Sequence, residues 1–171
     1  MHIFLQGPLG IGKSTVIEKT IGLLSGVRRI ILGGFNTYKA RDGSPYIYIS
    51  APKQNKPAEA YCIAQLTKDG LRVHPEVFDS EGVLLLSNID NADLICMDEL
   101  GFLERQSYMF QRRVLECLDG SVPILGVLRD KVIPWHLPIK SHPSVSILRV
   151  NEDNRGSLPE YLYNTLIKMV R

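Results

Sequence analysis

The chain has 171 residues, 44% hydrophobic and 22% charged, with a formal net charge of +2. This is enough chain for one domain with a sheet covered on both faces, and one domain over residues 1–171 is expected. The charge is too small to argue for a nucleic-acid or membrane-surface partner, and the longest apolar stretches, such as Val83–Leu86, fall far short of the roughly 18–20 residues that span a bilayer.

Met1-His2-Ile3-Phe4-Leu5 is a short apolar run suited to a buried strand. It leads into Gly7-Pro8-Leu9-Gly10-Ile11-Gly12-Lys13-Ser14, a full match to the phosphate-binding loop G-x-x-x-x-G-K-[ST]. Ser14 to Ile21 then continue with apolar spacing suited to a helix. The glycines let backbone N–H groups turn inward around phosphate oxygens. The helix that follows aims its positive end at the same oxygens. Gly7, Pro8, Leu9, Gly10, Ile11, Gly12, Lys13, Ser14 and Thr15 are the expected nucleotide-binding residues. Lys13 is expected to reach the β- and γ-phosphates and to sit beside water, and Ser14 to ligate Mg²⁺. An ordinary Gly-rich turn capping a helix would explain neither the lysine nor the serine. The partner implied is a nucleoside triphosphate.

Beyond the loop the chain alternates between the two element types. Arg29–Leu32 reads as a short strand ending at Gly33-Gly34, which reads as a turn in preference to a nucleotide contact. Arg41-Asp42-Gly43-Ser44 carries a turn signal before the strand Tyr46–Ile49, and Tyr61–Leu66 is a candidate to pair with it. Tyr46 and Tyr48 read as one packed sheet face rather than a base-stacking platform. Pro75–Asn88 can form a helix weakened by Gly82. Leu94–Met97 is a continuous apolar run of the central parallel type. Ser107–Leu118 is helical, with Phe110, Val114, Cys117 and Leu118 on one face and Gly120 as its stop. Ile124–Leu128 and Val145–Val150 read as buried strands. In the last helix Ser157 and Glu160 form a capping box, Pro159 sits in the first turn, and Leu158, Leu162 and Leu166 make the buried stripe. Cys62, Cys96 and Cys117 are spaced as buried free thiols. The pattern predicts an α/β fold: an open, mostly parallel sheet flanked by helices, with a small β-rich insertion and the ligand at the carboxyl ends of the strands. No leader precedes the first strand, so the cytoplasm and a monomer are expected.

Leu94-Ile95-Cys96-Met97-Asp98-Glu99 resembles a Walker B strand. Asp98 is expected to hold Mg²⁺ through water, since Mg²⁺ keeps much of its hydration shell. Glu99 stands where an acid can orient and deprotonate a water aimed at the γ-phosphorus. Alone, an apolar run ending in two acids often only leaves a strand for solvent; below a complete phosphate loop it reads as catalytic. Lys13 and Glu99 are thus the expected catalytic residues, and Ser14 and Asp98 the expected metal ligands. Asn55-Lys56-Pro57-Ala58 lacks the aspartate of the guanine-reading N-K-x-D motif.

With these residues placed, the chain resembles the cancer-related nucleoside-triphosphatase family, which has bacterial and archaeal members. The resemblance runs nearly end to end, through Gly7–Ser14, Gly33–Thr37 with Arg41, Asp98-Glu99-Leu100-Gly101-x-Leu103-Glu104, and Asn154-Arg155 ahead of Leu158-Pro159. It implies a RecA-like P-loop fold, Mg²⁺-dependent hydrolysis of several nucleoside triphosphates to diphosphates, and a nucleotide contact from Arg155. Three departures stand out. Phe102 replaces a lysine, Tyr38-Lys39 replace an acidic pair, and Val127 replaces a polar residue at the end of a sheet strand. Arg105, Arg112, Arg113 or Arg129 are the candidates to supply the missing cation, and Phe102→Lys is expected to raise turnover if that cation is limiting. Two other functions compete. One is a small nucleoside or nucleotide kinase with its acceptor pocket in the 33–68 region. The other is a nucleotide-binding sensor with weak turnover.

Overall fold

The structure is a computed structural model and describes residues 1–40, 42–52 and 59–170. Arg41 and residues 55–58 lie outside the described residues. The chain opens with β1 (His2–Gln6), α1 (Lys13–Val27) and β2 (Leu32–Lys39). Three strands follow: β3 (Tyr46–Ser50), β4 (Ala60–Thr67) and β5 (Gly70–Val73). Helical turns α2 (Pro75–Val77) and α3 (Val83–Leu85) flank a π-helical turn at Phe78–Gly82. Then come β6 (Leu94–Leu100), a 3₁₀ turn at Leu103–Gln106, α4 (Tyr108–Leu118) and β7 (Ile124–Leu128). A 3₁₀ turn at Pro134–His136, α5 (Leu137–Lys140), β8 (Val145–Arg149) and α6 (Leu158–Leu166) complete the order.

The strands form an eight-stranded sheet in the order β5-β4-β3-β2-β6-β7-β1-β8. From β2 to β8 all neighbours are parallel; β3, β4 and β5 extend the β2 edge as an antiparallel meander. The expected β-rich insertion is therefore a continuation of the sheet. The central parallel strands β1, β6 and β7 carry largely apolar runs because both of their faces are covered. On one face Ile3, Leu5, Cys96, Leu125 and Val127 pack with Val16, Ile17 and Leu24 of α1 and Leu158, Leu162 and Leu166 of α6. On the other, Phe4, Phe35, Ile95 and Met97 pack with Phe78, Phe110, Val114 and Cys117. Among the described residues no helix is long and apolar enough to cross a membrane.

The structure differs from the sequence reading at several points: the edge strand β8, read as buried, is only partly so, and Cys62 is only half-buried. Gly33 and Gly34 are not a turn but lie within β2, which begins at Leu32. Gly34 has φ +93°, and a Cβ there would come within 2.0 Å of the Cys96 carbonyl oxygen, so only glycine lets β2 lie this close to β6. The Ser157–Glu160 capping box does not form: Ser157 has no side-chain cap bond, and its hydroxyl donates to the Asn154 carbonyl instead. Residues 75–85 are an α–π–α succession in place of one regular helix. The tyrosines behave as read. Tyr38, Tyr46 and Tyr48 pack together on one face of β2 and β3, with ring centroids 6.0 and 6.3 Å apart.

Candidate functional site

β1 delivers the phosphate loop to the carboxyl edge of the sheet. Gly12 caps α1 with φ 101° and ψ 23°, a left-handed conformation that a side chain disfavours and that starts the helix directly at Lys13. Ser14 and Thr15 are exposed on the first turn. Leu9 projects into solvent at the loop tip. Lys13 departs from the expectation of a lysine beside water. Its side chain is only 7% exposed, and its ammonium donates to the Gly7 and Pro8 carbonyls at 2.8 and 2.9 Å. The lysine thus braces the loop across its own mouth.

β6 brings the acids to the same edge. The Ser14 hydroxyl donates to Asp98 Oδ1 at 3.2 Å. Asp98 is 9% exposed, and burial pushes its carboxyl up to about 6 against the lowering effect of the Ser14 hydrogen bond. A buried carboxylate and a hydroxyl together offer hard oxygen donors, the chemistry Mg²⁺ selects, and two protein groups are what it commonly takes alongside phosphates. The donor set therefore fits the expected metal. One residue on, the β6–β7 register shifts between Met97 and Leu100. The Asp98–Glu99 peptide bond is cis. The Glu99 backbone N–H donates to the Thr37 hydroxyl at 3.2 Å, which ties β6 to the end of β2. The Glu99 side chain is partly exposed, with Oε1 3.2 Å from Arg129 Nη1.

Glu104 holds the turn that follows. It is 1% exposed, accepts the Gly101 N–H at 2.9 Å through Oε2, and burial pushes its carboxyl up to about 7. Its own carbonyl accepts from the Gln111 side chain, and the Trp135 indole donates to the Gly101 carbonyl at 2.8 Å. Phe102 is 36% exposed and lies beneath the Arg129 guanidinium, 4.8 Å from ring centroid to Cζ. Val127 is fully buried in the α1-side core.

The four candidate arginines separate cleanly. Arg112 and Arg113 are spent on Glu116 along α4, and Arg113 also caps the Leu86 carbonyl. Arg105 is exposed on its 3₁₀ turn. Arg129 is the one seen against Glu99. Arg155 is exposed in the loop after β8, where Asn151 and Asn154 exchange hydrogen bonds and its N–H donates to the Asn151 carbonyl. That loop starts at Val150, whose backbone carbonyl is packed against Gly7 of the phosphate loop. Gln6, Trp135 and Gln111 escaped the sequence reading. A polar residue closing a buried strand was a signal for Gln6; Trp135 and Gln111 carried none, because their partners are backbone groups distant in sequence.

A family profile described as NTPase matches residues 2–163. The chain belongs to the NTPase family. A nucleoside-triphosphatase THEP1 of Thermofilum pendens is 28% identical, covering 99% of this chain and 97% of the relative. One from Methanocaldococcus jannaschii is 29% identical, covering 98% of each. The crystal structure of THEP1 from Aquifex aeolicus superposes with a TM-score of 0.79 at 20% identity over 97% of this chain and 99% of that one. The solution structure of a human cancer-related nucleoside triphosphatase gives 0.81 at 22% over 99% of each. These two likenesses establish the fold. Hydrolysis of a nucleoside triphosphate is the chemistry this family performs, and it is the chemistry the site has to account for.

Proposed function

We propose that this chain hydrolyses nucleoside triphosphates to diphosphate and phosphate with Mg²⁺, on the edge formed by Gly7–Thr15, Asp98 and Glu99. The observation that carries the reading is the Ser14–Asp98 contact at 3.2 Å, with Glu99 next in the chain. Loop N–H groups and the N-terminal end of α1 bind the phosphates. Lys13 exchanges one of its carbonyl bonds for a β- or γ-phosphate oxygen and keeps the loop closed through the other. Ser14 and Asp98 would hold Mg²⁺, which would supply positive charge to neutralise the phosphates. Glu99 orients a water and takes its proton as the water oxygen bonds to the γ-phosphorus. The bond from that phosphorus to the β,γ-bridging oxygen breaks, and the diphosphate leaves. Arg155 contacts the nucleotide beyond the phosphates.

Product analysis tests the reading. Over a panel of nucleoside triphosphates, with and without nucleoside acceptors, the expected product is free phosphate without need of an acceptor. Label transferred to an acceptor would make the protein a kinase, and tight binding without turnover a sensor. Glu99→Gln is expected to bind Mg²⁺-nucleotide as before and lose hydrolysis by about a hundredfold or more, because an amide cannot take the proton. Wild-type turnover in that variant would remove Glu99 from the mechanism.

A further inference from the structure

We propose that Arg129 is a catalytic residue of this site, supplying a cation to the γ-phosphate in the transition state, and that Phe102 is the platform that holds it there. The inference rests on the hydrolytic reading above and adds a residue to it.

The placement comes from the sheet. β7 lies between β6, which carries Asp98 and Glu99, and β1, which carries the phosphate loop. Arg129 is the first residue past β7. Its backbone is clamped from both sides: its N–H donates to the Leu100 carbonyl at 2.9 Å, and its carbonyl accepts from the Gln6 side chain at 3.3 Å. Gln6 is the residue immediately before the phosphate loop. The Arg129 backbone is therefore fixed where the acidic strand ends and the phosphate loop begins.

The side chain is aimed by two further contacts. Its Nη1 lies 3.2 Å from Glu99 Oε1. Its Cζ sits 4.8 Å above the Phe102 ring, an attraction between a cation and a π face that also removes freedom from a long side chain. Gly101 packs beside both side chains: a Cβ there would stand 3.4 Å from Arg129 Cδ and 3.8 Å from Glu99 Oε1, ordinary contact distances.

The chemistry follows from the guanidinium. It has five N–H donors, and Glu99 is its one side-chain hydrogen-bond partner among the described residues. The side chain remains partly exposed, with donors available to an oxyanion beside Glu99. In hydrolysis, negative charge spreads over the γ-phosphoryl oxygens and the leaving oxygen. A fixed cation there stabilises the transition state more than the ground state. Arg129 also holds one Glu99 oxygen, which leaves the other to receive the water's proton. On this account the Phe102 position is already served, and Phe102→Lys lowers turnover, because it removes the platform and sets a like charge against Arg129.

The test uses the full chain and three readouts: turnover, affinity for a non-hydrolysable triphosphate analogue, and affinity for Mg²⁺-diphosphate-aluminium fluoride, which mimics the transferring phosphoryl group. Arg129→Ala is expected to lower kcat by about a hundredfold or more. It should bind the analogue within about threefold of wild type and lose the aluminium fluoride complex. Arg129→Lys and added free guanidinium should each restore part of the turnover. Phe102→Leu alters a partly exposed side chain and should weaken the aluminium fluoride complex without lowering the melting temperature, which keeps the idea testable if Arg129→Ala folds poorly. Turnover of Arg129→Ala within about threefold of wild type overturns the proposal, as does a fall in analogue affinity that matches the fall in turnover. If Glu99→Gln loses hydrolysis while Arg129→Ala keeps it, only this inference fails. If Glu99→Gln keeps it, Glu99 is not the base; if the wild-type chain releases no free phosphate without an acceptor, the hydrolytic reading itself fails.

Discussion

The hydroxyl of Ser14 and the carboxylate of Asp98 meet at 3.2 Å although 84 positions separate them. Ser14 lies in the first turn of α1 and Asp98 near the carboxyl end of β6, and β7 stands between β6 and the strand that leads into α1. The contact is thus made by helix α1 reaching across a neighbouring strand, and it joins the phosphate loop to the acidic strand end. Its cost falls on Asp98, which burial holds at about 6 rather than its ordinary 3.8.

Asp98→Asn is therefore expected to separate stability from function. The variant keeps an oxygen for Ser14 but carries no buried charge. In the absence of Mg²⁺ at pH 8 it should melt higher than wild type, with an upper bound of roughly 3 kcal/mol from the shift. Its hydrolysis should need about tenfold more Mg²⁺. Calorimetry at pH 8 and a Mg²⁺ titration of turnover check both halves. A lower melting temperature with unchanged Mg²⁺ demand would remove Asp98 from the metal site.

Lys13→Ala removes two hydrogen bonds that close the phosphate loop, and the cation proposed to meet phosphate. Triphosphate affinity is expected to fall by about a hundredfold or more. The circular dichroism spectrum should stay that of wild type, because Lys13 lies outside both apolar clusters. Titration with a fluorescent triphosphate is the measurement. Unchanged affinity would dissociate the loop from nucleotide binding.

Glu104 makes stability depend on pH. Its carboxyl in the fold is pushed up to about 7 by burial, above its ordinary 4.5. The native state therefore holds this proton more tightly than the unfolded chain does. The contribution is fully present below about 4.5 and is lost as pH rises through about 7. Glu104→Gln keeps an acceptor for the Gly101 N–H and cannot ionise. Relative to wild type it should gain stability at pH 8, by at most about 3 kcal/mol, and gain little at pH 4.5. Denaturant unfolding at the two pH values decides. An equal effect at both would mean that Glu104 acts through packing alone.

Sequence by itself determined the phosphate loop, the acidic strand end, the parallel α/β class and the faces of α4 and α6. Each of these is local: a fixed spacing of Gly, Lys and Ser, an apolar run that stops at Asp98-Glu99, or a helical period. Tertiary structure decided the rest. Gly33 and Gly34 read as a turn because their need for glycine arises from residues distant in sequence, Ile89 and Ala92 for Gly33 and Cys96 for Gly34. The Ser157–Glu160 pattern had the spacing of a cap, yet Asn151 and Asn154 close the loop before α6 and the Ser157 hydroxyl turns to Asn154. Lys13 could be named as phosphate-binding, but its burial against Gly7 and Pro8 depends on how the loop curls. Four arginines were equal candidates along the chain. The strand order alone brings Arg129 to Glu99, because a parallel sheet places the carboxyl ends of sequence-distant strands side by side.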